Sequence, residues 1–150
     1  MSTLVVGIGN TLRGDDGVGP FVIDLLRAAR AGWLELRTVL GAMPELAGEL
    51  PGRDTVVFVD ADVRAREVTL SPLATDERDR LHRFALARVV KMARALGFVG
   101  RAWICSVPVT SFDAGEKLSP EAVLAAGRAA AVVLGVQWGT PAADSQTLPR

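Results

Sequence analysis

The residues best suited to chemistry are few. Asp15 and Asp16 stand side by side in G-I-G-N-T-L-R-G-D-D-G-V-G-P, the stretch from Gly7 to Pro20. Asp60 follows the apolar run T-V-V-F-V, and Asp62 comes two residues later. His82 is the sole histidine. An aspartate before a helix often only caps it, and one of the adjacent pair is expected to do that. A second acid is not needed for a cap, and like charges side by side repel, so the other is a candidate functional group. Asp62 lies in a polar stretch and is expected to be solvated. Two carboxylates and one imidazole make an open, hard-to-borderline metal set. Three protein ligands leave coordination positions for a substrate, as catalytic sites do and closed structural sites do not.

Other chemistries fit less well. Gly7-Ile8-Gly9 begins a dinucleotide fingerprint, but Leu12 stands where the third glycine belongs. No Gly-Lys-Ser/Thr phosphate loop occurs, and two adjacent carboxylates would repel phosphate. No nucleotide is therefore expected. There is no His-Glu-x-x-His motif and no serine in a nucleophile elbow. The single cysteine, Cys105, lies inside an apolar run and is expected in the core. One cysteine excludes an internal disulfide and a cysteine-based zinc cage, and fits a reducing cytoplasm.

These groups act together only if the fold brings them together. Leu4 to Ile8 predicts a buried strand, Asn10 to Gly19 a loop, and Pro20 to Arg30 a helix. Leu34 to Leu40 predicts a second strand, and Pro44 to Leu50 a short helix with proline in its first turn. Thr55 to Val59 predicts a central strand and Val68 to Leu70 a minor one. Asp76 to Leu96 predicts the longest helix, with Leu81, Ala85, Val89, Met92 and Leu96 as its apolar stripe and acids in its opening turns. Ala102 to Val107 predicts the last strand. Ser119-Pro120-Glu121 opens a final helix, with a capping serine and proline at the first position, that runs to about Leu134.

Strands alternating with helices predict an α/β fold: a three-layer sandwich with a mainly parallel central sheet and helices on both faces. Continuous apolar runs make Leu4–Ile8, Thr55–Val59 and Ala102–Val107 inner strands. In such sheets ligands collect at the carboxyl ends of strands. Asp16 follows the first strand, Asp60 follows the central one, and His82 begins a helix returning from that edge. All three are expected to converge in one cleft.

The chain has 150 residues, with 17 basic and 17 acidic side chains and 49% hydrophobic residues. This predicts one domain over 1–138 with a mobile tail over 139–150, and rules out wholesale disorder. A net charge of zero gives no reason to expect nucleic acid or an anionic membrane as partner. No apolar run approaches the roughly 20 residues of a membrane helix, and no targeting segment is visible. A soluble, cytoplasmic protein is expected, and a monomer, since nothing suggests a coiled coil.

The sequence also resembles the hydrogenase maturation endopeptidases, which trim the C-terminal extension of nickel-iron hydrogenase large subunits. Gly7 to Gly19 resembles that family's N-terminal signature closely. Gly41 with Pro44-Glu45-Leu46 is similar to its second loop, and Val57 to Ala61 to its central strand. His82 stands where the family's histidine opens a long helix, and Pro108, Phe112 and Leu118 to Glu121 resemble its C-terminal part. The resemblance spans about Leu4 to Leu134. It implies that Asp16, Asp60 and His82 read a nickel ion already seated in the large-subunit precursor. It further implies Asp16 and Asp60 as catalytic residues, and Asn10, Gly41 and Glu45 as substrate-binding ones. One loop departs from the pattern: Val39-Leu40-Gly41-Ala42-Met43 carries neither the family's aspartate nor its threonine.

Amide hydrolysis needs an activated water, a polarised carbonyl and a proton for the leaving amine. Asp16 or Asp60 serves as base, or the metal as Lewis acid. Two rivals stand beside the protease: a nickel-dependent docking or checkpoint protein that does not cut, and a metal-dependent hydrolase of small molecules.

Overall fold

A computed structural model describes residues 2–73, 81–110 and 117–136, with only the backbone at positions 81 and 82. The elements are β1 (Thr3–Ile8), a 3-10 turn (Gly14–Gly17), α1 (Val18–Ala28), β2 (Leu34–Val39), a second 3-10 turn (Pro44–Glu49), β3 (Thr55–Asp62), β4 (Thr69–Pro72), α2 (Leu81–Ala95), β5 (Arg101–Pro108) and α3 (Pro120–Gly135). The five strands form one sheet in the order β2-β1-β3-β5-β4. All pairs are parallel except β4 with β5. The predicted inner strands β1, β3 and β5 are the inner three.

Alternation along the strands separates two apolar layers. Val5, Val57, Val59, Trp103 and Cys105 pack with α1 and α3. Leu4, Val6, Val56, Phe58 and Ile104 pack with α2 and the second 3-10 turn. This is the expected three-layer sandwich. The sheet has its topological switch between β1 and β3: β1 leads outward to β2, while β3 leads the other way to β4 and β5. A crevice opens at the carboxyl ends of two such strands because their connections diverge.

Several boundaries differ from the expectations. Helix α1 begins at Val18, two residues before Pro20, because first-turn amides need no intrahelical acceptor and proline costs nothing there. Neither Asp15 nor Asp16 caps it. Gly17 is its N-cap, with no side-chain cap bond, since the 3-10 turn carries both aspartates past the helix end. Strand β3 continues through Asp60 to Asp62, because β5 supplies a partner for every residue to Pro108. The apolar face of α2 is Leu86, Ala87, Val89, Val90 and Ala93, whereas Met92 and Leu96 are exposed. The stripe is rotated because the second 3-10 turn packs on that side of the helix. The expected start of α2 at Asp76, the position of Phe112 and the tail over 139–150 lie outside the described residues. The final helix follows expectation: Ser119 Oγ accepts from the Ala122 amide at 3.1 Å, with Pro120 in the first turn. No helix among the described residues is long and apolar enough to cross a membrane.

Candidate active site

Glycines bring the first loop down onto the sheet. A Cβ on Gly7 would lie 2.5 Å from the Gly19 carbonyl oxygen and 2.5 Å from Ile23 Cγ1. A Cβ on Gly19 would lie 2.8 Å from the Val59 carbonyl oxygen. At Gly9, with φ +151°, it would overlap the Asp16 carbonyl oxygen. These glycines let the 3-10 turn and α1 lie against β1 and β3. That packing role accounts for the incomplete dinucleotide fingerprint.

The loop then locks itself. The Gly9 amide donates to the Val39 carbonyl at 3.0 Å, tying it to β2. Asn10 Oδ1 accepts from the Leu12 amide at 2.9 Å, a side-chain-closed turn. The Asn10 amide in turn donates to Asp16 Oδ2 at 2.9 Å. Asp16 is half-buried and held at one oxygen. A carboxylate has lone-pair capacity for several further partners.

Asp15 goes elsewhere. It is buried, and accepts from the Ser119 amide at 2.8 Å and from Ser119 Oγ at 2.9 Å, with Thr110 Oγ1 at 3.5 Å. Its carboxylate thus holds the N-cap of α3, 104 residues away in sequence. A negative charge there also meets the positive end of the helix dipole.

Asp60 is 4% exposed. It has the strand parity of Val56 and Phe58, on the α2 side of the sheet. Its register partner on β5 is Ser106, whose Oγ accepts from Arg83 Nη2 at 3.2 Å. Asp62 is half-buried, and its Oδ1 accepts from the Arg64 amide at 2.8 Å, a turn role.

Asp16 and Asp60 line one cavity of about 400 Å³ at the switch point. Gly9, Asn10 and Arg13 supply the wall from the first loop. Leu40, Gly41 and Ala42 supply that from the loop after β2, and Ala85 and Leu86 that from α2. Position 82 precedes Ala85 and Leu86 by three and four residues, so it shares their helix face one turn nearer the helix start. The His82 side chain lies outside the described residues. Among the described residues no group of three metal-ligating side chains forms. Of the other candidates, Asn10 and Gly41 line the cavity, while Glu45 is exposed on the second 3-10 turn and is not among the lining residues. A Cβ on Gly41 would meet nothing within 4 Å, so this glycine leaves space in the wall.

Two features of the site escaped the sequence reading. Arg13 lines the cavity, and the signal for it was a lone guanidinium between Asn10 and the aspartates. Leu40 lines it too and is 73% exposed, as Met43 nearby is 54% exposed. Cys105, in contrast, is fully buried, and burial pushes its thiol up to about 12, which leaves it no nucleophilic role.

No protein-family model matches the chain, and no curated protein matches it. Solved structures do. The hydrogenase maturating endopeptidase HybD from Escherichia coli is 22% identical with a TM-score of 0.68, over 89% of this chain and 90% of that one. The [NiFe] hydrogenase maturation protease HybD from Thermococcus kodakarensis is 21% identical with a TM-score of 0.72, over 89% and 97%. The hydrogenase 2 maturation peptidase of a Thaumarchaeota archaeon is 26% identical with a TM-score of 0.64, over 89% and 96%. The resemblance carried by the Gly7–Gly19 stretch thus extends to the whole described fold, and this chain has the fold of the hydrogenase maturation endopeptidases.

Proposed function

We propose that the chain is an endopeptidase that removes the C-terminal extension of a nickel-loaded hydrogenase large-subunit precursor. The observation that carries this reading is the meeting of Asp16 and Asp60 in one cavity at the switch point of this fold. The nickel belongs to the substrate. Asp16 and Asp60, with His82 as third ligand, contribute oxygen and nitrogen donors of the kind that ion accepts. Contact with a seated ion places the precursor's peptide bond against the two carboxylates and confines cleavage to loaded precursor. One carboxylate, Asp16 or Asp60, accepts a proton from the attacking water, and that proton passes to the leaving amine. The chain acts in this reading as a cytoplasmic monomer, without a nucleotide.

The test is incubation with nickel-loaded and nickel-free precursor, read by mass. Loss of a C-terminal fragment from the loaded sample alone is the expected result. Cleavage of both, or of neither, defeats the reading. One observation favours a second reading: the loop after β2, which carries neither the family's aspartate nor its threonine, exposes Leu40 and Met43. A checkpoint protein would bind the loaded precursor through that loop and leave its mass unchanged.

A further inference from the structure

We propose that Arg13 is a specificity-determining residue that grips an acidic side chain of the peptide flanking the scissile bond. This rests on the protease reading and names the substrate chemistry at the same site. Arg13 lines the cavity together with Asp16 and Asp60, yet among the described residues no carboxylate lies within ion-pair distance of it. Its backbone is fixed: its amide donates to the Asn10 carbonyl at 3.0 Å, and its carbonyl accepts from the Asp16 amide at 3.1 Å. The turn that orients Asp16 therefore also sets where the guanidinium starts. The three charged groups are graded in depth, with Asp60 buried, Asp16 half-buried and Arg13 exposed.

A cation at the mouth of a cavity whose interior carries carboxylates selects the part of a ligand that stays outside. A guanidinium binds a carboxylate through two parallel hydrogen bonds. A phosphate dianion fits less well, because Asp16 and Asp60 would repel its second charge. The apolar Leu40, Ala42 and Leu86 in the same cavity suit the aliphatic part of a peptide. Because Arg13 is exposed, water screens it, and it acts on ground-state binding instead of on charge developing at the buried reacting centre. The effect thus falls on KM and leaves kcat nearly unchanged.

The experiment is a double-mutant cycle between the full chain and the nickel-loaded precursor. Precursor affinity and the kinetics of cleavage are both measured for wild type, Arg13→Gln and Arg13→Lys. The second precursor has each Asp and Glu within five residues of the scissile bond changed to Asn and Gln. Arg13→Gln is expected to weaken affinity and raise KM about three- to tenfold, with Arg13→Lys in between and the difference shrinking at high salt. With the neutralised precursor, wild type should show the same weakening and Arg13→Gln no further loss. The proposal is overturned if Arg13→Gln binds like wild type, if its defect persists undiminished on the neutralised precursor, or if the precursor has no such acid. A wild type that binds without cutting defeats the protease reading, while the affinities still decide the role of Arg13.

Discussion

Asp15 and Asp16 are adjacent and chemically identical, yet they serve opposite faces of the molecule. Asp15 is buried and fully engaged, with Ser119 donating to both its oxygens. Asp16 is half-buried and bound at one oxygen by the Asn10 amide. The first joins the loop to the α3 layer, and the second opens onto the cavity on the α2 side. The difference teaches that a carboxylate with its acceptors filled by the fold is scaffold, whereas one held at a single oxygen is positioned for a ligand.

The comparison is broken most forcefully by exchanging effects between the two. Asp16→Asn should keep its acceptor oxygen for Asn10 and change stability by less than about 0.5 kcal/mol. It should nevertheless lower precursor cleavage at least about 100-fold, since an amide is a poor ligand and no base. Asp15→Asn should do the reverse. Its new amide group faces Ser119 Oγ, and stability should fall by about 1–3 kcal/mol, with residual activity in the folded fraction. Urea melts paired with mass-read cleavage check both, and a folded, fully active Asp16→Asn would remove it from the chemistry.

The glycines repeat the contrast on a smaller scale. Gly9→Ala must push the Asp16 backbone away, so it should cost at least about 2 kcal/mol and distort the cavity. Gly41→Ala meets open space and should change stability by less than about 0.5 kcal/mol. A larger residue there, Gly41→Leu, should leave the melt intact while slowing cleavage by narrowing the cavity. Equal melts for Gly9→Ala and wild type would show that the loop does not lie as described.

The smallest effect concerns the scaffold alone. Burial holds the Cys105 thiol protonated up to about 12, against 9.0 in an exposed state. The unfolded chain thus binds fewer protons than the native one between those values. Stability should therefore be unaffected by this group below pH 9 and decline as pH rises from there. Below that window, alkylation at pH 8 should be slow in buffer and rapid in denaturant. Fast labelling of the native chain would place the thiol outside the core.

Much of the fold was legible because its signals are local. The continuous apolar runs of β1, β3 and β5 announced strands covered on both faces, and Ser119-Pro120 announced α3 by its own cap. Asp60 was legible because a carboxylate closing such a run is conspicuous. The face of α2 was less so, since Met92 and Leu96 are as apolar as the residues that are buried. Which side a helix presents depends on what packs against it, here the second 3-10 turn.

The sequence by itself determined the order of elements, the inner strands and the short roster of groups able to do chemistry. It did so because periodicity, caps and rare residue types act over a few neighbours. The family resemblance had already singled out Asp16 from the adjacent pair. Only the tertiary structure decided that Asp15 goes to the N-cap of α3 while Asp16 lines one cavity with Asp60. It also decided that Arg13 and Leu40 join them there, and that glycines at 7, 9 and 19 serve close packing. The reach of these contacts varies: Gly9 packs against Asp16 and Gly7 against Gly19 and Ile23, within one supersecondary unit, whereas Ser119 for Asp15, Val39 for the Gly9 amide and Val59 for Gly19 lie tens of residues away. Contacts at that range are set by how the layers close, and no local pattern encodes them.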